Sequence, residues 1–595
     1  MPAGGLWIKK NIAASAGNSV TGQSYKVAMI DISLDMQDGA ISRFQAPSNS
    51  YKDNILWFCS KDIIFTTGLR MFNNNSNTAC NNLKYIDVIG GSINGNLEYF
   101  ARWCGSLERI NATFNPGPNS VLCAFDGCTK LKEPPIINLN DVTIANYLFS
   151  GCATITEFNY YINNNGSFTE TSYMFQGCTN LTRFVTEQKF DFSKVSNQNY
   201  CFNNCNSLVK APTITFGNGS AAYFFGSCTA LREVQHEFIL NNVTSTDCFF
   251  YKCLSLVNGP SEFSAPNTTI INSLFDGCSS IKAVPQVLTF PKAVNAQYIF
   301  RNCYSLNRAP KTINLPAATD IKYMFQSCST LTDPPTLINA DVANTAHNVF
   351  ESCTMLTKAP VTINLPLARN VAAFFYQCSS MITGPDKFYA PLANNANSFF
   401  ISCNMMENAG RRIEIGNENP AGCNFKDFFK YCASLVNLPT EGDIHKGWGY
   451  EGFFNSTANI TYESFQQFCG KGLSFPHATT MYMMFQDAKV RKISPITAPN
   501  CTNTSGIFYN NAILEEIGDL NFPTCTNMQN AFTTGASLIK LGKMSLDSLS
   551  NNNAGFSYLN KIKKLELENL RCGFTLNNAS ELTSVRLFNH HAEHA

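Results

Sequence analysis

Apolar and polar positions recur along this chain on a fixed beat. Between residues 275 and 403 the pattern Phe-x-x-Cys falls at Phe275/Cys278, Phe300/Cys303, Phe325/Cys328, Phe350/Cys353, Phe375/Cys378 and Phe400/Cys403, each Cys 25 residues from the next. Three residues after each Cys stands Ile281, Leu306, Leu331, Leu356, Met381 or Met406. Seven after the first five stands Pro285, Pro310, Pro335, Pro360 or Pro385. A period of roughly 20 to 50 residues marks a repeat protein, whose units bury their apolar faces only against one another. One unit, Cys303 to Cys328, shows the local logic. Leu306 enters the core, and Pro310 ends the preceding turn because it has no N–H and restricts Ala309. Ile313 and Leu315 alternate with Thr312 and Asn314, which predicts a short strand with one buried face, and Pro316 stops it. Ile321, Met324 and Phe325 then recur at helix-like spacing, which predicts a short helix or 3₁₀ turn on the return. The expected fold is an α/β-type repeat solenoid, with a parallel sheet on one side and short helical segments on the other.

The motif Met/Phe-Phe-x-x-Cys-x-x-Leu, then Pro, then Ile-Asn-Leu-Pro, resembles the treponemal, BspA-like class of leucine-rich repeat. It is similar also to the Met-Phe-x-x-Cys repeats of many bacterial and protist surface proteins. Ser305-Leu306 and Thr330-Leu331 fit the pattern, whereas the step before the Phe, Ala318-Thr319-Asp320-Ile321, departs from the family's Thr-x-Ile-Gly. The resemblance implies a leucine-rich-repeat stack. For function it implies the range of that class, adhesins and protein-binding surfaces, because fold alone does not fix function.

The beat also sets the domain boundaries. Residues 1–50 carry no repeat: Lys9 and Lys10 precede a small polar stretch, Ala13 to Ser24, and Val27 to Met36 alternate like a strand. This predicts an arm that orders on a partner and attaches the chain. Residues 51–559 form the solenoid, with Cys slots at 80, 104, 128, 152, 178, 205, 228 and 253, then the regular block, then 432. Beyond it Phe454, Phe485, Phe508, Phe532 and Phe556 keep the beat, with Thr457, Ala488, Asn511, Gly535 and Leu559 in the Cys slot. Insertions near Arg411 to Ala421 and Tyr462 to Pro476 are expected as surface loops. Residues 560–595 read as a cap with a polar outer face, ending in a His-rich tail. About 20 coils at a strand spacing of about 4.8 Å would make a body roughly 95 Å long.

Composition narrows the chemistry. A net charge of +1 with 14% charged residues gives no field for nucleic acid or anionic membrane. No apolar run reaches the 18 or so residues of a membrane-spanning helix, and Met1 to Asn11 lack the layout of a secretory signal. The cysteine column admits a metal array or a disulfide ladder. However, the slot accepts Thr, Ala, Asn and Gly, so buried free thiols are expected in a position that mainly asks for a small side chain. His590, His591 and His594 are the candidate metal ligands, against a solvated terminus. Asp31, Ser33, Asp35, Asp38 and Gly39 only faintly resemble a calcium loop, since the glycine is misplaced and no Glu closes it. The other histidines are scattered, and no nucleophile–base constellation or phosphate-binding loop occurs, so neither an enzyme nor a cofactor is expected.

The outward strand positions, Asn138, Thr289, Asn314, Asn339, Asn364 and Tyr389, form a polar and nearly uncharged ribbon suited to a glycan or protein partner, or simply to solvent. Asn314, Asn364, Tyr389 and the Gly-flanked Trp448 are the candidate contact residues. Sequons at Asn180, Asn242 and Asn267 imply glycosylation only on secretion. The layout points to a non-enzymatic structural or adhesive protein. The first expectation is a phage virion component, a head or tail fibre or decoration protein held by residues 1–50 to other virion or surface-assembly proteins. A BspA-like cell-surface adhesin, or an intracellular protein-binding repeat protein in the cytoplasm, is the alternative, and an enzyme with a site in the inserted loops the remote one. Such a fibre would gain from self-association into a homo-oligomer, with a host glycan or protein as receptor.

Overall fold

A computed structural model describes residues 6–10, 27–28, 36–37, 40–41, 55–61 and 63–589, except 75–77, 163, 186, 534, 550–558, 570–575 and 577–578. The chain folds as a parallel β-solenoid of about 20 turns. It divides into two units, Met1–Pro285 and Gln286–Ala595.

The second unit holds the most regular coils. Strands Val287–Thr289, Thr312–Asn314, Leu337–Asn339, Thr362–Asn364, Lys387–Ala390, Arg412–Ile415 and Glu441–Asp443 form one seven-stranded sheet. They pair parallel and in register, with Ile313 opposite Ile338, Ile338 opposite Ile363 and Ile363 opposite Phe388. The register is fixed because a one-residue slip would put this buried row in water. Behind the sheet, Leu315, Ala318, Ile321, Met324, Phe325, Cys328 and Leu331 are buried in one coil and repeated in the next. The phenylalanines stack coil on coil: Phe300–Phe325 ring centroids lie 5.2 Å apart, Phe325–Phe350 5.1 Å and Phe375–Phe400 5.4 Å.

The return segment is not helical. Among the described residues the only helices are Tyr462–Gln467 and a 3₁₀ turn at Phe468–Gly470. Residues 321–328 instead form linked tight turns, with Tyr323 at φ 56° and Ser327 at φ 62°. Those two left-handed residues turn alternate N–H groups sideways. Ile321, Tyr323, Phe325 and Ser327 donate to the carbonyls of Thr345, His347, Val349 and Glu351 on the next coil, at 2.8–3.1 Å. A helix would have kept these donors within its own turn and left the coils joined only through the sheet. Left-handed backbone costs a non-glycine residue roughly 1–2 kcal/mol, and the lateral bonds offset it. Gly127, Gly151, Gly177 and Gly277 meet the same demand directly in the first unit.

In the first unit Leu6–Lys10 lies antiparallel on Ile55–Lys61, with Trp7 opposite Cys59. Ile55–Lys61 then pairs parallel with Tyr85–Ile89, which pairs parallel with Arg109–Asn111. Residues 11–26 and most of 29–54 lie outside the described residues, as does most of the expected strand from Val27 to Met36. At the other end of the chain, the second unit closes with Lys564–Glu568 paired to Ser584–Phe588. All five residues of that last strand are exposed, apolar Val585, Leu587 and Phe588 among them.

Neither insertion is a free surface loop. Asn419 is buried and donates to the carbonyls of Leu392 and Ala393, pinning the first. The second carries the helix Tyr462–Gln467, capped by the Thr461 hydroxyl on the Ser464 amide at 3.1 Å, and it buries Phe465 and Phe468 in the core. Phe465 packs edge-on against Phe454 and Phe485.

Candidate functional site

The alternation that buries Ile313, Ile338 and Ile363 turns Asn314, Asn339, Asn364 and Tyr389 outward as one register column. Stacked asparagines at strand spacing bond along the stack. Asn339 Nδ2 donates to Asn314 Oδ1 at 3.2 Å and Asn364 Nδ2 to Asn339 Oδ1 at 2.7 Å. Asp341, two residues beyond its strand position, accepts from both Asn339 and Asn364 at 3.2 and 3.1 Å. The row is therefore preorganised: each bond made along the stack restricts the rotamers a partner would otherwise have to order. Tyr389 continues it, its ring 5.3 Å from the Lys387 ammonium. Partial burial, then the carboxylates of Glu418 and Glu414, push the Tyr389 phenol up, so at neutral pH it is an O–H donor. The column offers amide donors and acceptors and one aromatic edge, with little net charge.

Trp448 does not join this column. It lies on the short strand Gly447–Gly449, paired to Cys423–Asn424 and not to the seven-stranded sheet. Its carbonyl accepts from the Thr479 amide and hydroxyl at 2.9 and 3.0 Å, and its indole is 43% exposed. Its aromatic chain neighbours Tyr450, Phe453 and Phe454 are core residues, so within residues 445–454 Trp448 is the exposed ring. His590, His591 and His594 lie outside the described residues, as do Asp31, Ser33, Asp35, Asp38 and Gly39.

The cysteine column is an array of hydrogen-bond donors. The described cysteines are buried free thiols. Cys328 Sγ donates to the carbonyl of Phe300 at 3.1 Å, Cys353 to Phe325 at 3.2 Å, Cys378 to Phe350 at 3.1 Å and Cys403 to Phe375 at 3.2 Å. Each such carbonyl also accepts the N–H of the Cys in its own coil, as Phe325 does from Cys328 at 3.1 Å, so both its lone pairs are used. Burial pushes the Cys178 thiol up to about 12, and at neutral pH it holds its proton. The thiol therefore does more in this slot than fill it. Where the cysteine gives way to Asn511, its Nδ2 takes over the bond, donating to the Phe485 carbonyl at 2.6 Å. Thr457 turns instead to its own coil's Phe454 at 2.7 Å.

Among the described residues no group of His, Cys, Asp and Glu is placed to hold a metal ion, and no helix is long and apolar enough to cross a membrane. Residues 121–232 match the family model of the BspA type leucine rich repeat region, six copies. Residues 220–337, 249–363, 289–392 and 474–562 match a second family, described as a Mycoplasma protein of unknown function, DUF285. No curated protein matches the chain. Solved structures similar to it include a leucine-rich repeat protein from Bacteroides ovatus, 16% identical, covering 72% of this chain and 92% of that one with a TM-score of 0.36. An internalin from Listeria monocytogenes is 16% identical and covers 52% of this chain and 82% of its own, with a TM-score of 0.20. A leucine rich cell surface protein from Faecalibacterium prausnitzii is 12% identical and covers 85% and 88%, with a TM-score of 0.17.

Proposed function

We propose that this chain, which carries BspA-type leucine-rich repeats, is a non-enzymatic recognition protein that works as an adhesin at a cell surface. The observation that carries this reading is the bonded column of Asn314, Asn339 and Asn364, continued by Tyr389. It is a rigid, repetitive face of neutral donors and acceptors, suited to a protein or glycan partner bound without strong charge. Residues 1–50 serve as the attachment segment, on the strength of their lack of repeat. The expected virion component rests on the layout of the chain alone, and the family match gives it no support.

Beads coated with the full chain test the reading on cultured epithelial monolayers. The coated beads should be retained above bare ones. The combined variant Asn314→Ala, Asn364→Ala, Tyr389→Ala should lose most of that retention with an unchanged circular dichroism spectrum. Equal retention of coated and bare beads would sink the adhesive reading, and full retention by the variant would move it off this face.

A further inference from the structure

A groove of about 520 Å³ runs across four coils of the second unit, at the start of the strands and away from the asparagine column. That volume lies within the roughly 300–1,000 Å³ of small-ligand sites. Its floor is apolar: Ala359 and Leu438 are almost fully buried there, and Val361 is 51% exposed at its side. One wall is the bridged row Lys358, Thr383, Asn408 and Asn437. Asn437 Nδ2 donates to Asn408 Oδ1 at 2.6 Å. That single bond leaves the amide pair with further donors and one carbonyl acceptor, whichever way each amide is turned.

The opposite wall carries the ion pair Asp386–Arg411, which Glu441 extends outside the groove. Arg411 Nε reaches Asp386 Oδ1 at 2.9 Å while its Nη1 reaches Glu441 Oε1 at 2.8 Å. One guanidinium flanked by two carboxylates holds its planar groups in place, and each carboxylate oxygen keeps a lone pair for a further donor. The column that carries Pro310, Pro335, Pro360, Pro385 and Pro439 places Gly410 at this point, without the ring those prolines bring.

Paired planar amides facing the Arg411–Asp386 ion pair over an apolar floor suit a ligand whose groups both donate and accept and whose ring faces are apolar. Vicinal hydroxyls on a pyranose have that character. A peptide backbone fits less well, because the coil amides it would pair with are already used: Ala359 donates to Thr383, Gly384 to Asn408 and Ala409 to Asn437. Arg411 is already paired with Asp386 and Glu441, which disfavours an acidic sugar at that wall. We infer that this groove binds a short neutral oligosaccharide.

The full chain, probed on a printed array of neutral and acidic oligosaccharides and tripeptides, tests this, followed by calorimetry with the strongest neutral trisaccharide. The expected result is retention of a neutral glycan. Val361→Arg, which fills the groove from an exposed position, and Asn408→Ala should each weaken it at least about tenfold, the loss of roughly one hydrogen-bonded contact. Leu367→Ala, at an exposed position outside both the groove and the asparagine column, should leave it unchanged, and loss in Asn364→Ala with affinity kept in Val361→Arg would place the glycan on the sheet face, so this inference and the adhesive reading fail separately. No neutral glycan retained, acidic glycans or tripeptides retained in preference, or affinity that survives Val361→Arg would each overturn the assignment.

Discussion

At the scale of single residues, the cysteine slot shows how one position can serve two needs. A cysteine there is small enough for the interior of a coil and also donates to a phenylalanine carbonyl that would otherwise keep an unused lone pair, a bond that Ala488 cannot make. Asn511 satisfies the donor requirement but leaves its Oδ1 buried without a partner, and the residue is 1% exposed. An unmade bond to a buried acceptor costs about 1–3 kcal/mol. Asn511→Cys should therefore stabilise its coil by about 1 kcal/mol, since the thiol gives the same bond and no orphaned oxygen. Hydrogen exchange of residues 505–515 checks this, and faster exchange in the variant would show that the slot responds to volume alone. Asn511 was legible as the occupant of the Cys slot from spacing. Its bond was not, because a sequence pattern records size and polarity and not where a carbonyl points.

At the scale of elements, the helix Tyr462–Gln467 and the 3₁₀ turn behind it are held by a small polar cluster. His445 is buried between Phe468 and Phe475, with Nε2 2.9 Å from the Gly472 carbonyl and Nδ1 3.3 Å from Asp443. Lys471 closes the cluster with an ion pair to Asp443. Burial works to raise the Asp443 carboxyl, but the bonds from His445 and Lys471 outweigh it and hold the group well below the usual carboxylate range. A carboxyl depressed in the folded state contributes stability that is complete above its unfolded value, about 3.9, and is lost as pH falls toward the folded one. Exchange at residues 462–470, corrected for intrinsic rates, should thus be constant from pH 7 to about pH 4 and rise only below it. In Asp443→Asn it should already be raised at pH 7 and should change little with acid. Loosening of the wild-type segment between pH 7 and 5 would contradict this account. The chain's spacing located the insertion, yet Phe465 and Phe468 looked like part of a loop, because a six-residue helix offers too few turns for a hydrophobic period to show.

At the scale of the whole molecule, each regular coil of the second unit, over residues 300–403, is tied to the next by three ladders: the sheet, the sideways amides of the left-handed turns, and the thiol bonds. The phenylalanine stack adds dispersion along the same direction. Among the described coils of the second unit the hydrogen bonds and ring contacts reach one coil in either direction, so stability there is a sum of neighbouring terms. Phe325→Ala, between Phe300 and Phe350, should cost about 3–5 kcal/mol. The loss should raise hydrogen exchange in the coils that hold residues 300–350 and leave distant coils of the same unit, such as those near Phe485 and Phe508, protected. A uniform rise across the unit would mean that the coils unfold as one body.

The periodic sequence determined the solenoid, its beat, the buried columns of Phe, Cys and Leu, the outward column of Asn314, Asn364 and Tyr389, and the break in regularity near residues 411 and 462. All of these follow from which residues are apolar and how far apart they stand, information a linear chain carries in full. The left-handed turns in place of helices were decided only in the tertiary structure. There alternate amides gain partners on the next coil, and Tyr323 and Ser327 accept a backbone sign that no hydrophobic period records. Glycine before Cys128, Cys152, Cys178 and Cys278, and asparagine before Cys205 and Cys303, carried its signal in the sequence. The same holds for Trp448, set apart from the sheet by the pairing of its strand. It holds too for the groove beside Arg411, whose walls come from coils some 25 to 30 residues apart and exist only once those coils are stacked.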